Sequence, residues 1–135
     1  HEETLALGER LGKMAEPKDI YLLTGGLGAG KTVFAKGFAK GLNVSDHVVS
    51  PTFNILNIYS GRLNFYHFDL YRLEDCDELF NLGFDEYIYG NGVCLIEWPD
   101  KLKDSLKGAR YTAISINKDL NLGENYRKIT VENER

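Results

Sequence analysis

The segment from residue 25 to residue 32 reads Gly25-Gly26-Leu27-Gly28-Ala29-Gly30-Lys31-Thr32. It matches the pattern G-x-x-x-x-G-K-[ST], in which successive backbone N–H groups cradle phosphate oxygens. A short apolar strand at residues 19–24 precedes it, and residues 33–39 follow it with helical spacing. Strand, glycine-rich turn and helix in this order form the context that the motif requires. The sequence therefore predicts a nucleoside triphosphate site, contacted by Gly25 to Val33.

Two side chains at the end of this loop have separate expected tasks. Lys31 is placed to reach the β- and γ-phosphates as a positive charge, beside the positive end of the helix that starts there. The hydroxyl of Thr32 is of the kind that ligates Mg²⁺ in such sites. The alternative is a glycine-rich turn that binds nothing, and the flanking strand and helix disfavour it.

Composition limits the class of protein. The 135 residues are 43% hydrophobic, which suits one globular domain over residues 1–135. The formal net charge is −4 and no long basic run occurs, so strong autonomous binding of nucleic acid is not expected. No apolar run approaches the length of a membrane span, and no secretory signal opens the chain. We expect a cytoplasmic protein with no membrane contact.

The hydrophobic periodicity predicts an α/β fold. The expected class is a single-domain P-loop NTPase with a mixed central sheet, an antiparallel hairpin within it and helices on both faces. The predicted helices span Thr4–Met14, Thr32–Gly41, part of Leu70–Leu82, and a short helix or turn at Phe84–Tyr89. The predicted strands are Ile20–Thr24, a hairpin of Asn54–Tyr59 and Leu63–Phe68 across residues 60–62, Val93–Ile96, and a last hairpin of Ala113–Asn117 and Arg127–Val131.

Two acids follow predicted strands. Glu97 ends the apolar run 93–96, and Asp69 ends the run 63–68. Ligands gather at the carboxyl ends of strands in open α/β sheets, and P-loop NTPases place an acid there that helps to hold Mg²⁺. We therefore expect Glu97 and Asp69 to face the phosphates. A solvated acid at a strand end is the alternative for each.

Three further side chains carry weaker hypotheses. Thr52 lies between the P-loop helix and the hairpin, where switch loops often occur, so its hydroxyl is a candidate γ-phosphate sensor. An ordinary Ser-Pro-Thr turn is the alternative. His67 shares a strand face with Asp69 but lacks enough neighbouring ligands for a transition-metal site, which favours a hydrogen-bonded structural histidine. Trp98 is either a fold anchor or an exposed contact.

Other nucleotide-binding classes fit less well. The guanine-specific pattern N-K-x-D fails because Leu120 stands where its acid is required, and Arg72 replaces the glycine of a D-x-x-G switch after Asp69. A small-molecule kinase would need an acceptor pocket and usually an arginine-bearing lid, whereas acids follow Asp69. A small kinase and a nucleotide-dependent binding module without turnover remain the alternatives to an ATPase.

Several blocks along the chain resemble the TsaE (YjeE) family, P-loop ATPases needed for threonylcarbamoyladenosine in bacterial tRNA. Beside the P-loop, the similarity rests on four blocks that occur in the family's order: residues 4–8, Ser50-Pro51-Thr52-Phe53, Tyr66-His67-Phe68-Asp69-Leu70-Tyr71-Arg72-Leu73 and Ile96-Glu97-Trp98-Pro99. One departure is Gly26, where the family usually carries Asp; it changes the charge of the loop and leaves its N–H groups.

The resemblance implies a small α/β fold with an atypical mixed sheet. It also implies ATP hydrolysis that is slow in isolation and tied to the partner proteins TsaB and TsaD, with tRNA reached only through that complex. By the same resemblance, Lys31 contacts phosphates, Thr32 and Glu97 bind Mg²⁺, Asp69 serves hydrolysis and Thr52 acts as a sensor. Trp98, beside Glu97, is then placed to report the nucleotide state.

Overall fold

The computed structural model describes residues 2–26, 28, 30–51, 53–102, 106, 109–118 and 127–134, with Cys76, Lys118 and residues 127–134 described by their backbone alone. The helices are α1 (Glu2–Met14), α2 (Lys31–Gly41), α3 (Cys76–Asn81), α4 (Phe84–Ile88) and a 3₁₀ turn at Pro99–Leu102. The strands are β1 (Ile20–Thr24), β2 (Leu56–Ser60), β3 (Asn64–Asp69), β4 (Val93–Glu97), β5 (Tyr111–Lys118) and β6 (Arg127–Glu134).

The strands form one mixed sheet in the order β2-β3-β4-β1-β5-β6. The four inner strands are parallel, and the edge strands β2 and β6 pair antiparallel with β3 and β5. Both predicted hairpins are therefore confirmed, and the run 93–96 lies within the parallel centre. Most of these strands differ from their predicted bounds by one to three residues: β2 runs from residue 56 to Ser60, which pairs with Asn64, and β6 extends to residue 134.

Helices cover both faces of the sheet, as the α/β prediction requires. Alternate residues of β1 show the division, since Tyr21 and Leu23 pack under α1 and α2 while Ile20 and Leu22 pack under α3 and α4. Each strand residue faces opposite to its neighbour, so a continuous apolar strand serves two cores at once. The core that contains Tyr21 and Leu23 packs helix α2, which follows the glycine-rich loop, directly against the sheet.

Helices α1 and α2 approach each other closely through glycines. A Cβ at Gly37 would collide with the carbonyl oxygen of Leu5, and a Cβ at Gly8 with that of Phe34. Small residues at both positions let the two backbones touch, so α1 braces the helix that carries the phosphate loop.

Among the described residues, no helix is long and apolar enough to span a bilayer.

Candidate functional site

The glycine-rich loop adopts backbone conformations that favour glycine. Gly28 has φ +78° and Gly30 has φ +109°, both in the left-handed region, and Gly25 lies at φ +154°. Helix α2 begins directly afterwards, with the Phe34 N–H donating to the Gly30 carbonyl at 3.0 Å. The N-terminal end of α2 therefore points its free N–H groups at the space above the loop.

Lys31, the first residue of α2, is buried and has an unpaired charge. It is 7% exposed, and its Nζ finds no hydrogen-bond partner among the described residues. The ammonium lies 3.9 Å from the ring centroid of Trp98. Burial lowers the pKa of Lys31, and the carboxylates of Glu97, Asp69 and Asp100 act in the opposite direction. Burying an ammonium that makes no hydrogen bond costs free energy, and an anion in the cavity would offset that cost.

The two predicted acids lie side by side at the carboxyl edge of the sheet. Asp69 and Glu97 are register partners on the parallel strands β3 and β4, and they are 5% and 3% exposed. Asp69 accepts hydrogen bonds from the Tyr71 N–H at 3.0 Å and the Ser50 hydroxyl at 3.4 Å. Neither acid is a solvated strand-end residue, so that alternative fails for both.

A cavity of about 440 Å³ unites these groups. The residues predicted from the sequence that line it are Gly28, Gly30, Lys31, Thr32, Val33, Asp69 and Glu97. Gly25 and Gly26 belong to the same loop but do not line the cavity. Leu27, Ala29 and Thr52 lie outside the described residues. The phosphate loop, a buried cation and two buried carboxylates thus converge on one space of a size suited to a small ligand.

Comparison with known proteins places this arrangement in a family. The family model described as "Threonylcarbamoyl adenosine biosynthesis protein TsaE" matches residues 1–129. The chain belongs to the TsaE family. The resemblance of the sequence blocks is thereby confirmed.

Individual TsaE relatives agree over most of the chain. The tRNA threonylcarbamoyladenosine biosynthesis protein TsaE of Bacillus subtilis is 48% identical over 110 residues, covering 81% of this chain and 68% of the relative. That of Treponema pallidum is 42% identical over 105 residues, 78% of each chain. The crystal structure of YdiB from Bacillus subtilis superposes with a TM-score of 0.80 at 40% identity, covering 96% of this chain and 78% of the other.

The cavity is also lined by residues for which the sequence predicted no role. Tyr71 and Arg72 line it, and the Tyr71 ring packs on Trp98 with centroids 4.8 Å apart. The Arg72 guanidinium lies 4.5 Å from the ring centroid of Phe53, a side chain that is 82% exposed. The sequence signal that could have identified them is their position two and three residues after Asp69, in the block shared with the family.

The histidine expected to be structural contacts the site itself. His67 Nε2 lies 2.6 Å from Glu97 Oε2, and both side chains are buried. The prediction of a hydrogen-bonded His67 is correct, but its partner is an acid of the cavity. The sequence showed His67 beside Asp69 on one strand and did not show the diagonal contact across to β4.

The oxygen atoms of the cavity suit a hard divalent cation. The Thr32 hydroxyl and the carboxylates of Asp69 and Glu97 are the ligand types that Mg²⁺ prefers, and Mg²⁺ usually completes its shell with phosphate oxygens and water. Among the described residues, no group of three or more His, Cys, Asp or Glu residues is arranged to hold a metal unaided. This donor set fits a metal that arrives with a nucleotide.

The segment that leads to Thr52 is held by the hairpin. The Tyr59 hydroxyl accepts from the Val49 N–H at 3.2 Å, and Asn57 Nδ2 donates to the Val49 carbonyl at 3.3 Å. Ser50 then reaches Asp69. The segment is therefore connected to the cavity through Asp69 and to β2 through Tyr59 and Asn57.

Proposed function

We propose that this chain is a magnesium-dependent ATPase that serves the threonylcarbamoyladenosine modification of tRNA in the cytoplasm, together with TsaB and TsaD. The role in the modification follows the names of its relatives. The nucleotide chemistry rests on the cavity. The observation that carries it is the buried, unpaired ammonium of Lys31, which faces the same cavity as Asp69 and Glu97.

Each side chain has a defined task in this proposal. The ammonium of Lys31 leaves the face of Trp98 and neutralises phosphate charge, which offsets the cost of its burial. Thr32 and Glu97 hold Mg²⁺, which supplies charge stabilisation at the transferred phosphoryl group. Asp69 orients the attacking water or accepts its proton. The glycine-rich loop holds the phosphate chain by its N–H groups.

The partner requirement follows from size and charge. The chain has 135 residues and a formal net charge of −4, and its sequence contains no long basic run. Contact with tRNA is therefore assigned to the complex and not to this chain. ATP hydrolysis powers or resets that complex through surfaces whose shape depends on the nucleotide.

Phosphate release tests the proposal. Turnover of Mg-ATP is measured for the chain alone and with purified TsaB and TsaD, for the unchanged chain, Lys31→Ala and Lys36→Ala. Lys36 is an exposed lysine of the same helix and serves as the matched control. We expect slow turnover alone, faster turnover with the partners, and loss in Lys31→Ala only.

Two outcomes would redirect the assignment. Phosphate transfer to a small metabolite in the same mixtures would favour a kinase. Nucleotide binding without any phosphate release, with or without TsaB and TsaD, would leave a binding module.

A further inference from the structure

The contact between His67 and Glu97 makes the two oxygens of the Glu97 carboxylate unequal, and the roles proposed above do not use this difference. His67 is 1% exposed, and its Nε2 lies 2.6 Å from one Glu97 oxygen, Oε2. Two atoms at this distance form a hydrogen bond, so one of them must be the donor. An ionised carboxylate can only accept. The imidazole Nε2–H therefore donates to Oε2, and the other oxygen, Oε1, has no hydrogen bond from any described residue.

The imidazole is itself held in place. Its ring stacks on Phe65 with centroids 5.6 Å apart and planes 11° from parallel. His67 pairs in register with Leu95, so it reaches Glu97 diagonally across two adjacent parallel strands. Within the described part of the chain, its Nδ1 has no hydrogen-bond partner. Among the described residues, the bond to Glu97 is thus the single hydrogen bond of an imidazole that is buried against Phe65.

We propose that His67 is a positioning residue that fixes the Glu97 carboxylate so that one oxygen, Oε1, is left to bind Mg²⁺. This inference rests on the function proposed above. Mg²⁺ demands near-octahedral geometry and usually takes few protein ligands besides phosphate and water. A carboxylate with its second oxygen occupied presents one ligand atom in a fixed direction and leaves the other positions of the metal open.

The same bond holds the Glu97 carboxylate away from a direct ion pair with Lys31. No ion pair within 4.0 Å joins Lys31 to Glu97 in the described part of the structure, although both line the cavity. A Glu97 side chain released from His67 is free to turn toward the Lys31 ammonium. That pairing would remove the metal ligand and the phosphate contact together, so holding Glu97 back keeps both available.

Two amide substitutions distinguish positioning from packing. His67→Gln and His67→Asn both replace the ring by a primary amide. The glutamine Nε2 reaches the place of the imidazole Nε2, whereas the asparagine amide ends one methylene short of it. Phe65→Leu serves as a packing control, because it loosens the aromatic stack and leaves the imidazole donor in place. Circular dichroism verifies folding, and the assay temperature is lowered until every variant is folded.

The readout is the gain in nucleotide affinity that the metal provides. Calorimetry gives the dissociation constant of the non-hydrolysable analogue AMPPNP in EDTA and in excess Mg²⁺, and their ratio is the gain. We expect His67→Gln and Phe65→Leu to stay within about threefold of the unchanged chain, and His67→Asn to lose about tenfold. Affinity in EDTA should agree among all four proteins within about threefold.

Three results would overturn the inference. A full gain in His67→Asn would show that the hydrogen bond does not matter for the metal. A loss in His67→Gln or in Phe65→Leu as large as in His67→Asn would show that packing of the ring is what matters. If Mg²⁺ gave no gain in nucleotide affinity in the unchanged chain, the magnesium site and the proposed function would both fail. The other two results concern only the role of His67, so the two kinds of failure are distinguishable.

Discussion

Lys31 packs on the face of an indole and not against a carboxylate, although two buried carboxylates line the same cavity. The ammonium makes a cation–π contact with the Trp98 ring. The backbone of Trp98 is in the left-handed region, with φ +59°. Such a conformation is uncommon for a bulky residue and is typical of functional sites. The arrangement keeps the ammonium close to where an anion would bind, without a competing ion pair.

Replacing Glu97 tests the metal assignment. Glu97→Gln keeps the size of the side chain and its hydrogen bond from His67 but removes the charge that attracts Mg²⁺. We expect turnover to fall by about tenfold or more while nucleotide binding is partly retained. Steady-state phosphate release and calorimetry measure the two quantities. Glu86→Gln, at an exposed carboxylate of α4, is the control, and equal turnover in both variants would contradict the assignment.

Asp69 should matter for chemistry more than for binding. Asp69→Asn keeps an oxygen to accept from the Tyr71 N–H but cannot take a proton from water. The rate at saturating ATP should fall by about a hundredfold, with the affinity for ATP changed by no more than a few-fold. If the affinity collapses and the rate at saturation does not, Asp69 is a binding or structural residue.

At the scale of elements, the sequence predicted the bounds of β1 and α4 more closely than those of α3. Strand β1 was placed at its observed bounds because a buried apolar run flanked by a loop motif has few alternatives. Helix α3 covers only residues 76–81 of the predicted region because Asp75 caps it, accepting from the N–H groups of Asp77 and Glu78. The sequence predicted that Asp69 and Glu97 lie at the same edge of the sheet, but it did not show which side chains bond across the strands, and so the diagonal bond from His67 to Glu97 was missed.

An arginine in the β2–β3 turn fastens the end of α1. The Arg62 guanidinium donates to the carbonyls of Gly12, Lys13 and Ala15 at 2.8 to 2.9 Å. The last carbonyls of a helix lack their usual partners four residues on, although the Gly12 carbonyl also accepts from the Ala15 N–H at 3.4 Å, so a cation there stabilises the helix.

Substituting that arginine should therefore destabilise the fold. Arg62→Gln should lower the free energy of unfolding by about 1 kcal/mol, measured by urea denaturation. Arg10→Gln, at an exposed position of α1, should change it by less than about 0.5 kcal/mol. Equal effects of the two substitutions would show that the cap contributes nothing.

At the scale of the whole molecule, the site lies where the carboxyl edge of the sheet meets two connecting segments. Residues 48–51 reach the cavity through Ser50, and the stretch after Asp69 reaches it through Tyr71 and Arg72. The exposed ring of Phe53, two residues beyond the first segment in sequence, contacts Arg72 of the second. A nucleotide that displaces either segment alters the exterior surface that a partner would meet.

Partner binding should therefore depend on the nucleotide. We expect the affinity for the TsaB–TsaD pair to differ by about tenfold between the ADP and ATP-analogue states, measured by calorimetry. Linkage requires the partner to change nucleotide affinity by the same factor, which provides an internal check. Equal partner affinity in the apo, ADP and ATP-analogue states would leave only a constitutive scaffold.

Titration of Mg-ATP into the unchanged chain, Lys31→Ala and Lys36→Ala tests the central claim most directly. The account predicts one site in the unchanged chain and in Lys36→Ala, with affinity in Lys31→Ala weaker by about 2 kcal/mol, or about thirtyfold, because a charged hydrogen bond to phosphate is lost. Unchanged affinity in a folded Lys31→Ala protein would contradict the assignment of this cavity as the nucleotide site.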